Sequence, residues 1–273
     1  MMNASSLSNW LPLRVWAALA LVGALAGCAS QPVGVGGTPG ELQTSSDESE
    51  ARKRARTRLM LASSYFQEGK TNIGLDEAKR SMQLDPTFAE PYSLAGLIYM
   101  KMGEKSLAQA HFERAISLNP RDADAMHNLG WLQCQDGQYA AAIQSFQRAI
   151  AVPGYQGRAK TLMAQGICEA RSGDAASGEA TLMRSYDLDP GNPVTGYNLS
   201  KLMYKRGDYT KAQFYIRRLN NGELSNAESL WLGIQVEHRL DNRQAMEQLG
   251  SQLRRRFPES KELQSYEQGK FDE

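Results

Sequence analysis

Three cysteines and three histidines are the residues of this 273-residue chain with the most chemistry to offer. Histidines grouped with cysteines hold zinc, and a histidine beside a nucleophile does acid–base work. Neither pattern occurs. His111, His127 and His238 are far apart, and none has a Cys two or four residues away. His127 precedes Cys134 by seven residues. On one helix that places them on the same face but about 10 Å apart along the axis, too far for direct proton transfer. The sequence contains no Gly-x-x-x-x-Gly-Lys-Ser/Thr phosphate loop (Gly69-Lys70-Thr71 has Ser64 where the first glycine would stand), Gly-x-Ser-x-Gly elbow or His-Glu-x-x-His string. A non-enzymatic protein with no metal and no cofactor is expected.

What positions these residues is a repeat. Gly69, Gly103, Gly137, Gly173 and Gly207 are separated by 34, 34, 36 and 34 residues. A period of 34 is that of the tetratricopeptide repeat, a helix–turn–helix unit. One unit cannot bury its apolar face alone, so units stack into a superhelix with a concave groove. The predicted fold is an all-α, right-handed superhelical solenoid of about six repeats over residues 51–260.

The remaining positions fall into register when the turn glycine is numbered 15. Leu84-Asp85-Pro86, Leu118-Asn119-Pro120 and Leu188-Asp189-Pro190 close second helices at position 32, because Pro cannot continue a helix and disfavours helix in the residue before it. Val152-Pro153-Gly154 is the same stop one residue early, near the two extra residues of the fourth repeat. Position 8, where the two helices cross, is small: Ala62, Gly96, Gly130, Gly166 and Ser200. Position 24 is large and apolar in Phe112, Phe146, Leu182 and Ile216, with Ala78 the exception. These are core positions by helical periodicity. A degenerate sixth repeat runs from Ser229 to Phe257, and its turn, Leu240-Asp241-Asn242, lacks the glycine. Its register is open by one residue. Residues 261–273 read as a polar tail, at most a short cap.

Residues 1–27 lie outside the solenoid and read as a signal peptide. Arg14 precedes twelve apolar or small residues, Val15 to Ala26, too few to span a membrane and right for a signal-peptide core. Leu25-Ala26-Gly27-Cys28 then resembles the lipobox of bacterial lipoproteins. That resemblance implies a diacylglycerol thioether on Cys28, cleavage before it and an N-acyl chain. Ala29, in place of Asp, implies sorting to the outer membrane, at its periplasmic face. The alternative is an ordinary signal peptide with a coincidental Cys. Residues 28–50 form a Gly/Pro- then Ser/Glu-rich tether with a reach of about 25 Å.

In an oxidising compartment Cys134 and Cys168 become candidates for a disulfide. They occupy neighbouring first helices of repeats three and four, so a bridge needs only a Cα separation under about 7 Å. The alternative is two small buried hydrophobes that never meet. Removing the leader takes one base, Arg14, and no acid, leaving 30 Lys+Arg against 30 Asp+Glu. Global charge therefore gives no reason to propose nucleic acid. Two basic runs remain, residues 52–58 and Arg254-Arg255-Arg256. They could meet headgroups or an acidic partner, or simply be solvated helix faces.

Function is expected on the concave, first-helix face. Positions 2, 5, 9, 12 and 13 supply Leu59, Phe66, Leu97 and Met100 from the first two repeats, then Trp131, Tyr197, Lys201 and Tyr204. Aromatic residues and Met are favoured at protein-binding surfaces. Some of these could instead pack between repeats.

Particular strings are more specific than the repeat count. Asn128-Leu129-Gly130-Trp131-Leu132-Gln133-Cys134-Gln135, Gly166-Ile167-Cys168, Glu228-Ser229-Leu230-Trp231-Leu232-Gly233-Ile234 and Leu253-Arg254-Arg255-Arg256-Phe257-Pro258 resemble the third, fourth and last repeats of the PilF/PilW family, outer-membrane lipoproteins of type IV pilus biogenesis. The resemblance implies a pilotin-like adaptor whose partners are the pilus secretin and other pilus-assembly proteins, promoting secretin localisation, multimerisation and pilus stability. It also implies a lipid anchor in the outer membrane, and carries the family's cysteine pair onto Cys134 and Cys168. A monomer is expected. Competing readings are a repeat lipoprotein that scaffolds cell-wall hydrolases and a subunit of the outer-membrane barrel-insertion machine.

Overall fold

A computed structural model describes residues 48–271. The leader, Cys28 and the tether before Glu48 lie outside the described residues. Thirteen helices are present among the described residues, in chain order α1 (Glu50–Gln67), α2 (Thr71–Leu84), α3 (Ala89–Met102), α4 (Lys105–Leu118), α5 (Ala123–Gln135), α6 (Tyr139–Ala151), α7 (Arg158–Arg171), α8 (Ala175–Leu188), α9 (Pro193–Arg206), α10 (Tyr209–Asn220), α11 (Ala227–Arg239), α12 (Arg243–Arg256) and α13 (Lys261–Glu267). The molecule is an all-α tetratricopeptide-repeat solenoid. Odd-numbered first helices touch the next first helix, whereas even-numbered second helices touch only the first helices on either side and, at the end, α13. First helices are thus close-set along the inner face and second helices splay on the outer one.

The repeat chemistry explains each turn. At the end of α3, Gly103 adopts φ 82°, and its N–H and that of Glu104 donate to the carbonyls of Met100 and Tyr99. This pair of bonds satisfies carbonyls that the helix end would leave open. Three second helices stop where Pro dictates: Asp85, Asn119 and Asp189, each before a proline, sit at φ −145°, −130° and −142°. The crossing of helices within a repeat is tight. A Cβ on Gly96 would lie 2.6 Å from the Phe112 ring, so position 8 and position 24 are one packing unit. Phe112, Phe146, Leu182 and Ile216 are all fully buried.

The sixth turn resolves the open register. Asp241 adopts φ 51°, the only positive φ outside glycine among the described residues. Its N–H and that of Asn242 donate to the His238 and Glu237 carbonyls, the same pattern as at Gly103. Asp241 therefore occupies position 15, and Asp tolerates the left-handed region better than most residues because its short side chain is easily accommodated there. The Glu237 carboxylate, 1 % exposed, locks this repeat onto the fifth through Arg217 and Gln213 at 2.7–3.1 Å, and accepts from Asn242 of its own turn at 2.9 Å.

The stretch beyond residue 260 forms a short cap on the solenoid. The segment read as a polar tail contains α13, which packs on α11 and α12. Leu263 is buried, and Tyr266 lies so close to Gly250 that a Cβ there would meet its ring at 2.2 Å. Phe271 packs against Trp231, His238 and Tyr266. Three apolar side chains at 263, 266 and 271 cover the face a further repeat would otherwise cover.

Candidate functional site

The histidines and the cysteine pair serve packing. His127, 5 % exposed, faces Thr161 Oγ1 through Nδ1 at 3.0 Å. Thr161 is 3.2 Å from the Tyr155 hydroxyl, which donates to Asp124 Oδ1 at 3.1 Å. A carboxylate accepts only, so the chain has one direction: His127 Nδ1–H to Thr161, Thr161 to Tyr155, Tyr155 to Asp124. Burial holds the His127 pKa down at about 4, with Lys160 adding to the effect, and pushes the Tyr155 hydroxyl up to about 12. Tyr155 comes from the longer loop after Pro153, so the two extra residues of repeat four are used to seat a side chain at this junction. The network ties α5, α7 and that loop together.

Cys134 and Cys168 are bonded, with Cα atoms 5.8 Å apart across α5 and α7. Trp131 and Tyr139 pack against this cluster, and the Arg171 guanidinium lies 5.5 Å above the Trp131 ring. His111 bonds the Leu107 carbonyl through Nδ1 and packs on Tyr99, and His238 packs on Phe271. Among the described residues no three His, Cys, Asp or Glu side chains are grouped to hold a metal ion. No described helix is long and apolar enough to cross a membrane.

The basic run at residues 52–58 is largely consumed internally. Arg52 pairs with Asp85 and lies over Phe88, Lys53 pairs with Glu50, Arg56 with Glu48, and Arg58 with Glu77. In the second run Arg254 pairs with Glu267, while Arg256 donates to the Ser225 carbonyl. Both runs mainly fasten helices.

The inner face is where half-buried aromatic residues and exposed cations meet. Tyr197, Lys201 and Tyr204 of α9 line one groove, of about 540 Å³, with Trp231, Gln235 and Arg239 of α11 and Lys261 of α13. Burial raises the Tyr197 hydroxyl pKa, with Glu228 and Glu262 adding to it. The Lys201 ammonium sits 5.6 Å over the Tyr197 ring. Three of the eight groove residues expected from the sequence thus share one site. Phe66, Leu97 and Met100 lie elsewhere, half-buried against the core of repeats one to three, with the Lys101 ammonium 5.1 Å over Phe66. Leu59 is half-buried on α1, and Trp131 sits at the disulfide.

Trp231, Gln235 and Arg239 escaped sequence reasoning. Once Asp241 is position 15 they become positions 5, 9 and 13, all inner-face positions. The signal was present: Asp241 lies 34 residues after Gly207.

A family model of the tetratricopeptide repeat matches residues 94–159. The type IV pilus assembly protein PilF of Pseudomonas aeruginosa is 24% identical over 243 residues, spanning 89% of this chain and 93% of that protein. The solved structure of Pseudomonas aeruginosa PilF superposes with a TM-score of 0.74 at 23% identity, covering 81% of this chain and 100% of that one. The crystal structure of PilW, described as a widely conserved type IV pilus biogenesis factor, gives 0.71 at 27% identity, covering 77% and 97%.

Proposed function

We propose that this tetratricopeptide-repeat chain, similar over most of its length to the pilus factors PilF and PilW, is a non-enzymatic adaptor in type IV pilus biogenesis. It works by holding segments of partner proteins on its inner face. One observation carries this reading: Tyr197, Lys201 and Tyr204 converge with Trp231 in a single open groove. Half-exposed aromatic residues lining a concavity are what a protein-binding site needs, since they bury large area with few rotors.

The finer reading is an outer-membrane lipoprotein, held at the periplasmic face by acyl chains on Cys28, that helps the pilus secretin reach the membrane and assemble. Leu25-Ala26-Gly27-Cys28 supports the anchor, and a Cys134–Cys168 bond fits an oxidising compartment. Three acyl chains exceed the two signals stable anchoring needs. The covalent lipid is the proposal's sole non-protein group.

The test is in-cell crosslinking and capture of the full-length protein, with partners identified by mass, beside a Cys28→Ser variant. Recovery of the secretin, reduced in the variant, is the expected result. Recovery of cell-wall hydrolases or barrel-assembly subunits without secretin would overturn the pilus reading in favour of those alternatives.

A further inference from the structure

We propose that the inner groove over repeats four to six takes an extended, acidic peptide segment carrying aromatic side chains. The inference rests on the adaptor reading above and names the class of segment that site would hold.

Charge is the first observation. Lys201 and Lys205 line the groove toward repeat six together with Arg239 and Lys261, and they also line the groove toward repeat four together with Arg171. The two grooves therefore join through shared residues into one inner surface. Three cations, Lys201, Lys205 and Arg171, face it beside two carboxylates, Glu228 and Glu262, the second of which pairs with Lys261. Glu262 is only 7 % exposed. Lys201 and Lys205 take part in none of the ion pairs among the described residues. From Cys28 onward the chain is formally neutral, so this excess is local. A concavity focuses such a field on its occupant.

The chain's own residues supply the second observation. Phe271 packs on the inner-face residues Trp231 and His238, with ring centroids 6.0 and 4.5 Å away. The Gln235 side chain donates to its backbone carbonyl at 3.3 Å. Phe271 thereby shows what the inner face of α11 already holds from its own chain: an aromatic ring against Trp231 and a backbone carbonyl on the position-9 amide. A helical ligand has its carbonyls satisfied internally, whereas an extended one offers them to such donors. In sequence Phe271 is followed by Asp272-Glu273, an aromatic residue next to acids.

The test is titration of the full-length protein with labelled synthetic peptides of repeated Phe-Asp-Glu, Phe-Asn-Gln and Phe-Lys-Arg, read by fluorescence anisotropy. The acidic peptide should bind at least about tenfold tighter than the amide peptide, and raised salt should weaken it. A Lys201→Glu/Lys205→Glu variant, with both changes on exposed side chains, should lose at least about tenfold toward the acidic peptide while keeping its helical circular dichroism. Equal binding of the acidic and amide peptides would overturn the inference. So would tighter binding of an oligo-thymidine strand or of anionic vesicles, or loss of peptide binding in Phe66→Ala instead of the lysine variant. If the lysine variant still captures secretin in cells but no longer binds the peptide, the acidic-segment inference fails and the adaptor reading stands. If the wild type binds the peptide as expected but captures no secretin, the adaptor reading fails and the groove's ligand class stands.

Discussion

Phe112 lies directly beneath Gly96, with ring carbons 2.6 Å from where a Cβ would be. Phe112 is itself fully buried, so it cannot retreat. Gly96→Ala forces either the ring or the helix crossing to move, at a cost of about 1–3 kcal/mol. The expected result is a lower thermal midpoint in Gly96→Ala, with partial recovery in the double variant Gly96→Ala/Phe112→Leu.

Asp241 carries the strain that glycine avoids in the other turns. An L-residue in the left-handed region costs about 1 kcal/mol or somewhat more, and the Asp241 side chain is 92% exposed with only a 3.9 Å pairing to Arg243. Asp241→Gly should therefore raise stability by roughly 0.5–1 kcal/mol, the loss of chain entropy offsetting part of the relief. Chemical denaturation of the two proteins side by side decides it. Asp241→Val should fall in the opposite direction.

His127 makes stability depend on pH with a definite sign. Its pKa drops from 6.5 to about 4 on folding. Above pH 6.5 both states hold the ring neutral, and nothing is lost. Between 6.5 and about 4 the unfolded chain takes a proton that the folded chain refuses, so stability falls as pH falls, by about 1.4 kcal/mol per unit and about 3 kcal/mol in all. Below about 4 this contribution is flat. Denaturation midpoints of wild type and His127→Gln measured at pH 7, 6, 5 and 4.5, at constant ionic strength, should show the slope shrinking in the variant.

The Cys134–Cys168 bond closes a loop of 34 residues. The loop-entropy estimate gives it about 3–4 kcal/mol. Because neighbouring repeats stabilise one another, reduction should loosen repeats three and four first. Hydrogen exchange with and without reductant should show the largest loss of protection in α5 to α8, and little change in α11 to α13.

The architecture was legible because its determinants are local and periodic. Turn glycines, position-32 prolines and small residues at position 8 each do one geometric job that few residue types can do. The inner-face assignments of Tyr197, Lys201 and Tyr204 followed from the same count. Where a determinant was replaced, reading failed: Asp241 takes the left-handed turn without being glycine, and with the register open Trp231, Gln235 and Arg239 went unassigned. The cover formed by Leu263, Tyr266 and Phe271 was missed for a different reason. Three apolar residues in a seven-residue helix and its turn make too short a pattern to show a period. The partners of Arg52 and Arg58 in the basic run could not be read from its own composition, because Asp85 and Glu77 come from the loop after the second helix and from that helix.

The central claim is that the inner face holds the pilus partner, and site-specific photocrosslinking in cells tests it most directly. A crosslinking amino acid would replace Tyr197 in the groove or Phe214, which is 60% exposed on the second helix α10. The account predicts a secretin adduct from position 197 and none from position 214. Adducts from 214 alone, or no secretin adduct from 197 in piliated cells, would contradict it.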